Sequence, residues 1–295
     1  MKAALGIDVG GTKIRAGVVR EDGSILQIME LRTEAEKGGS HVVDQLLSII
    51  QSLPHDAICG IGVGTAGQVG LDGTILSATS TFADWSGVEL EKVISSKSKL
   101  PVKVVNDVQA MALGELHYGE GLGLKNFLCL ALGTGVGGAI VCEGKLYRGA
   151  NGAAGEMGHL IIRANGKLCP CGKKGCLEAY VSGTALSQRY SEIIGVQSAA
   201  YDLFKDARLN KYVAKQLVDE FISDLLCGLS SLGDIFNPQK IILGGGLAES
   251  LVDYMPMITS KLKDELSSAA ALPIHLSISQ LGGNAMILGA ASLII

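Results

Sequence analysis

The feature that most limits what this chain can fold into is a unit that occurs twice: a strand, a glycine-rich turn and a second strand. The first copy runs from Ala3–Val9 through Gly10-Gly11-Thr12-Lys13 into residues 14–19. The second runs from Phe127–Leu132 through Gly133-Thr134-Gly135-Val136-Gly137-Gly138 into residues 139–141. Without a Cβ, such a turn lets backbone N–H groups approach an anion that a side chain would hold off. Taken alone, the first turn serves a plain β-hairpin equally well. Two of them, at the start of two restarting α/β patterns, suit a clamp on the phosphates of one ligand.

The composition agrees with a two-part α/β protein. Glycine counts 40 in 295 residues, hydrophobic residues make up 47% and aromatic ones only 4%. That is enough apolar material for two ordinary domains, and too much for a disordered chain. A net charge of −4 supplies no basic field for nucleic acid or an anionic membrane, so neither is an expected partner. The first residues are too short an apolar run for a signal peptide. Two uncharged stretches, 126–142 and 266–295, are cut by glycines and by Pro273 into pieces too short to span a bilayer. A soluble, cytoplasmic protein is expected. Its seven cysteines then serve as metal ligands or core residues sooner than as disulfides.

Between the two glycine turns, a third strand is expected at 25–31 and a helix capped by Ser40 with Val42, Val43, Leu46, Leu47 and Ile50 on its apolar face. Buried parallel strands follow at 58–63 and 102–105, with a helix at 89–98 between them. The pattern restarts after Asn106-Asp107 with a helix at about 108–117. This places one domain at 1–107, joined by a C-terminal helix at 284–295, and a second at 108–283. A long helix at 213–232 precedes a strand at 240–243, which ends in Gly244-Gly245-Gly246. Gly62-Val63-Gly64-Thr65-Ala66-Gly67 satisfies a dinucleotide-binding spacing, but a turn-rich hairpin follows it where that fold needs a helix.

Three groups of residues carry chemistry. Asp8, at a strand end beside the first turn, can hold a hydrated Mg²⁺, and Thr12 can donate to phosphate oxygens. Asn106-Asp107 sits between a strand and a helix, so it reads as an N-cap. It also reads as a lone carboxylate suited to act as general base on a hydroxyl, and the two roles are compatible. His159, Cys169, Cys171 and Cys176 form a Cys₃His set with no open position, which describes a structural zinc better than free thiols. Cys59, Cys129, Cys142 and Cys227 lie in apolar contexts and are expected in the core.

Together these motifs carry a resemblance. The Asp8–Lys13 turn, Asn106-Asp107, the 132–139 turn, Glu156-x-Gly158-His159, the 169–178 cysteine segment and Leu243–Gly246 resemble the ROK family of sugar kinases and repressors, in order and over essentially the whole chain. The resemblance implies the actin-like ATPase (ribonuclease H-like) α/β fold, with two domains flanking a cleft. It implies Asp107 as catalytic base and Gly67, Asn106, Asp107, Glu156, His159 and Glu178 as sugar-binding residues. Asp8, Gly10, Gly11, Thr12, Lys13, Gly133, Thr134, Gly135 and Gly137 would hold Mg-ATP, with Gly244, Gly245 and Gly246 near the adenosine. His159 would place one ring nitrogen on zinc and the other on the sugar.

The implied activity is ATP-dependent phosphorylation of the 6-hydroxyl of glucose or a related hexose, using ATP, Mg²⁺ and a structural Zn²⁺, by a homodimer. N-acetylmannosamine or another N-acylhexosamine is the alternative acceptor, and Ser80-Thr81 and Glu178-Ala179-Tyr180 point that way. Many glucose-specific relatives carry Asn before the tryptophan of the sugar loop, where this chain has Asp84 before Trp85. A sugar-responsive repressor is the rival reading. It would need a helix-turn-helix ahead of a strand that here begins at Ala3. A non-catalytic ATPase is a second rival, which Asn106-Asp107 and the cysteine segment argue against.

Overall fold

A computed structural model describes residues 2–53, 58–78, 82–271 and 274–295. Its contacts divide the chain into two units. One comprises 1–124, 140–154 and 280–295, and the other 125–139 and 155–279.

The first half contributes β1 (Ala3–Val9), β2 (Lys13–Arg20), β3 (Ile25–Arg32), α1 (Gly39–Gln51), β4 (Ile61–Thr65), β5 (Gln68–Val69), β6 (Ile75–Ser77), α2 (Leu90–Ser98), β7 (Val102–Asn106) and α3 (Asp107–Tyr118). Five of these strands form a sheet in the order β3-β2-β1-β4-β7. β1 pairs antiparallel with β2 and parallel with β4, which pairs parallel with β7. One face buries Leu5, Ile7, Val63 and Val104 with Leu46, Ile50, Ile94 and Trp85. The hairpin β5–β6 follows the glycine run at 62–67, as its turn-rich sequence requires.

The remainder contributes β8 (Phe127–Leu132), β9 (Val136–Cys142), β10 (Lys145–Tyr147), α4 (Glu178–Val181), α5 (Gly183–Ile194), α6 (Ala200–Arg208), α7 (Tyr212–Phe236), β11 (Lys240–Gly244), α8 (Met255–Glu265), α9 (Ser268–Ala271), β12 (His275–Ile278) and α10 (Ala285–Ser292). The second sheet has the order β10-β9-β8-β11-β12, with β8, β11 and β12 parallel. β8 is buried along its whole length, so it reads as a continuous apolar run. α7 buries Leu217, Val218, Phe221, Leu225, Leu229 and Leu232, an apolar stripe of helical period. Among the described residues no helix is long and apolar enough to cross a membrane.

The structure moves two local expectations. The cap of α1 is Gly38, at φ 96°, and Ser40 lies inside the helix. A Cβ on Gly39 would meet the Asp84 carbonyl, so the helix enters through a pair of glycines that only glycine can supply. Likewise β4 starts at Ile61 and reaches Thr65, later than the apolar run suggests.

Its Gly62 and Gly64 are explained by what packs on them. α10 lies against the sheet face that carries Ala4 and Val19, and there Ile287, Leu288 and Ala291 join the core. Cβ atoms on Gly6 and Gly62 would fall on the carbonyl oxygens of Ile287 and Ala290, and one on Gly289 would fall on that of Ala110. Bare backbone is therefore the packing surface between β1, β4, α3 and α10. Overpacking a site of this kind costs about 1–3 kcal/mol or more. Gly289→Ala is expected to lower the urea midpoint of unfolding by at least that equivalent. Gly123→Ala, which adds a methyl to open space, is expected to cost less, limited to the strain of its positive φ.

Candidate active site and metal cluster

In the first unit, the C-terminal ends of three neighbouring parallel strands bring the named residues together. Asp8 is in register with Gly64, Val9 with Thr65, and Thr65 with Asn106. Asn106 is the N-cap of α3. Its Oδ1 accepts from Val108 N at 2.9 Å and Gln109 N at 3.3 Å, and its Nδ2 donates to the Gly67 carbonyl at 3.0 Å. The cap therefore belongs to Asn106, and Asp107 is the first residue of the helix, where the unpaired amides favour its negative charge. Val108 N also donates to Asp107 Oδ1 at 2.9 Å.

Asp8 feels the consequence. Burial, and then the charge of Asp107, push its carboxyl up to about 7, against the pull of Arg15 and Lys13. Arg15 stands across from Asp8 on β2 and donates to the Gly283 carbonyl and to Asn284 Oδ1. A carboxylate kept partly protonated by burial and then by a neighbouring charge is one that a divalent cation would ionise, so Asp8 fits a magnesium-bound ligand.

The first glycine turn is braced by a residue that sequence reasoning missed. Thr33 is fully buried. Its Oγ1 donates to the Gly10 carbonyl at 2.6 Å and its N–H donates to Thr12 O at 3.0 Å, while Gly10 N closes onto Lys13 O at 3.0 Å. Its only sequence signal is a threonine directly after β3. Thr12 and Lys13 are left exposed, with Lys13 Nζ 3.2 Å from Glu30.

In the second unit, Gly133–Gly135 and Gly244–Gly246 leave the C-terminal ends of adjacent parallel strands, β8 and β11. Gly245 has φ 81° and lies against Leu132, whose carbonyl also accepts from Leu247 N at 3.0 Å. The start of α5 closes on the other turn: Gly183 N donates to Gly133 O at 2.7 Å. Beside them lies a cavity of about 570 Å³ lined by Thr134, Thr184, Gln188, Ser191, Glu192 and Gln197. None of the α5 residues belongs to a recognisable motif, so nothing in their spacing singles them out.

The four metal-ligand candidates do converge. One ligand atom from each of His159, Cys169, Cys171 and Cys176 lies within 4.8 Å of all the others. Cys171 Sγ and Cys176 Sγ are 3.7 Å apart, and Cys169 Sγ is 3.8 Å from His159 Nδ1. A tetrahedral zinc with bonds of about 2.3 Å to sulfur sets S···S edges of roughly 3.8 Å, so the donor set fits that ion in number, chemistry and size. Nδ1 is the ring nitrogen that faces the cluster, while Nε2 turns to Glu156, 3.8 Å away. Burial pushes the Cys169 thiol up to about 12, a cost that a directly bound cation offsets. Glycines at φ 87° (Gly172) and 84° (Gly175) turn the chain between the cysteines.

The remaining cysteines depart from expectation in part. Cys129 is buried in β8 and Cys59 is half-buried, but Cys142 and Cys227 are exposed. Cys142 ends β9 outside its buried run, and Cys227 lies on the solvent side of α7, whose apolar sequence neighbours face the other way. Trp85 is core: it is fully buried, stacked on Phe82, with Nε1 3.3 Å from Thr65 Oγ1. Asp84 has φ 51°, a left-handed conformation that Asn and Asp both tolerate, so the backbone accounts for either residue there. Ser80 and Thr81 lie outside the described residues.

These features define the actin-like ATPase class of α/β fold with a Cys₃His metal cluster. The chain matches the ROK family over residues 4–295 and belongs to that family. It is 31% identical over 305 residues to the glucokinase of Thermotoga maritima, covering 98% of this chain and 96% of that one. It is 30% identical over 301 residues to the xylose repressor of Bacillus subtilis, covering 99% of this chain and 77% of the repressor. A ROK family glucokinase from Streptomyces griseus, solved in complex with glucose and AMPPNP, superposes with a TM-score of 0.84 at 32% identity over 99% of both chains.

Two measurements follow from this geometry. Asp8 titrates near 7 when folded and near its ordinary 3.8 when unfolded, so the folded chain holds that proton more tightly. The resulting stability is present at low pH and is lost as pH rises from about 4 to about 7. Without nucleotide, Asp8→Asn is expected to raise stability at pH 8 by about 1–3 kcal/mol and to change it little at pH 4. Elemental analysis is expected to find about one zinc per chain, and little in a Cys169→Ser/Cys171→Ser double variant.

Proposed function

We propose that the chain is an ATP-dependent hexose kinase that phosphorylates the 6-hydroxyl of glucose or a closely related hexose. The observation that carries this reading is Asp107: a carboxylate at the end of a parallel strand, beside Asp8 and the braced first glycine turn. A sugar kinase needs one base for the attacking hydroxyl and fixed donors for the phosphates, and the chain supplies both.

In this mechanism Asp107 accepts the proton of the sugar's 6-hydroxyl as that oxygen bonds to the γ-phosphorus, while the bond to the departing ADP breaks. The amides of the Gly10–Lys13 and Gly133–Gly137 turns, with Thr12, Lys13 and Thr134, receive the phosphate oxygens. Mg²⁺ supplies charge neutralisation there when bound, and Asp8 holds its hydration shell. The nucleoside occupies the cavity that Thr134 and α5 line.

Sugar hydroxyls are met by Asn106, Glu156, His159 and Glu178, with the Gly67 turn beside them. Asn106 Oδ1 is committed to capping α3 and one Nδ2 hydrogen to Gly67, so the residue has one donor left for a hydroxyl. His159 offers Nε2, because Nδ1 faces the metal cluster. An N-acylhexosamine is the alternative acceptor.

The likeness to a repressor that spans 99% of this chain supports a second reading, a sugar-sensing regulator. Sugar-dependent ADP release, assayed over glucose, mannose, fructose, allose and N-acetylated hexosamines, separates the two. Asp107→Ala is expected to lower kcat by about 10²–10⁴-fold with nucleotide binding retained. Near-normal turnover in that folded variant would remove the assignment.

A further inference from the structure

Glu178 touches both the second glycine turn and the cysteine–histidine cluster. Its Oε2 accepts from Val136 N at 2.8 Å, at the point where the second glycine turn enters β9. Its Oε1 lies 3.6 Å from Cys169 Sγ in the metal cluster. The fit to the turn is close, since a Cβ on Gly135 would stand 2.6 Å from Oε2.

The backbone on either side of Glu178 reinforces the link. Cys176, a metal ligand, accepts from Ala179 N at 3.0 Å, and Leu177 N donates to Leu160 O at 2.8 Å, next to His159. Further on, Gly183 N and Thr184 N reach the carbonyls of Gly133 and Thr134 at 2.7 and 3.4 Å. One short stretch of chain thus has a metal ligand at its start and the glycine turn at its end, with Glu178 spanning both.

We propose that Glu178 is a positioning residue for the phosphate donor. Held by the metal-ligand loop, its carboxylate fixes the Val136 amide and with it the shape of the Gly133–Gly138 turn. Metal occupancy therefore governs nucleotide affinity as well as the sugar side. Oε2 takes the turn amide and Oε1 faces Cys169, and each oxygen keeps a lone pair that a sugar hydroxyl can use. The identity of the turn's ligand rests on the kinase reading; the brace itself does not.

The test is hydrogen exchange on the 133–138 segment in the zinc-loaded protein, in its chelated form, and in Glu178→Ala and Glu178→Gln. Glu178→Ala is expected to speed exchange at least about tenfold. Glu178→Gln should give a smaller change, because its amide oxygen still accepts from Val136 N. Chelation should speed the same segment in the wild type and add little in Glu178→Ala, the non-additive result of a shared path. Affinity for a non-hydrolysable ATP analogue with Mg²⁺, measured without sugar, should fall about 10–100-fold in Glu178→Ala.

Unchanged exchange in Glu178→Ala with normal zinc content, or fully additive effects of chelation and substitution, would overturn the proposal. If Glu178→Ala does not fold, the same cycle run on Glu178→Gln decides. Failure of the kinase reading would instead show as wild type that binds no analogue, with the exchange result still standing or falling on its own.

Discussion

A turn that lets phosphate approach its backbone has no side chains with which to hold itself. Three glycine-bearing loops of this protein meet that constraint by borrowing a polar group from outside. Thr33 fastens the Gly10–Lys13 turn through its hydroxyl and its amide. Asn106 holds the Gly67 turn while capping α3. Glu178 holds the start of β9 at the second glycine turn. Loops braced in this way are fixed before a ligand arrives, so little ordering entropy remains to be lost on binding.

Electrostatics sets a second condition. Asp8 and Asp107 come to the same end of the sheet because parallel register places them there, and burial then makes their joint ionisation unfavourable. The repulsion is local; Arg15 and Lys13 offset part of it, and a divalent cation would offset more. Stability and function pull in opposite directions at this pair, a common property of sites that bind cations.

Much of this was legible in the sequence, for identifiable reasons. Phe127–Leu132 is apolar throughout because both of its faces are covered, and its limits were readable to the residue. The Cys169-Cys171-Cys176 spacing leaves few uses other than a metal, and His159 falls within the cluster. What stayed hidden depends on distant packing. Gly62 looked like part of a loop motif, whereas it makes room for the α10 backbone. Thr33 carries no spacing that marks it, since its partners are backbone atoms of a remote turn, and the polar face of α5 reads as any solvated helix face. Cys142 and Cys227 were misplaced because apolar neighbours in sequence do not share a face in a strand or a helix.

The seat of α10 against β1 and β4 also orders events in time. β1 is synthesised well before α10, and at roughly 5–20 residues per second the interval is tens of seconds. Throughout it, the glycine-lined faces of the first sheet wait without their covering helix. Residues 125–139 and 155–279 are all synthesised before residue 280 appears. The unit that carries Asp8 and Asp107 is therefore completed after the other, and for that period a nascent chain exposes an apolar sheet face of the kind that chaperones hold.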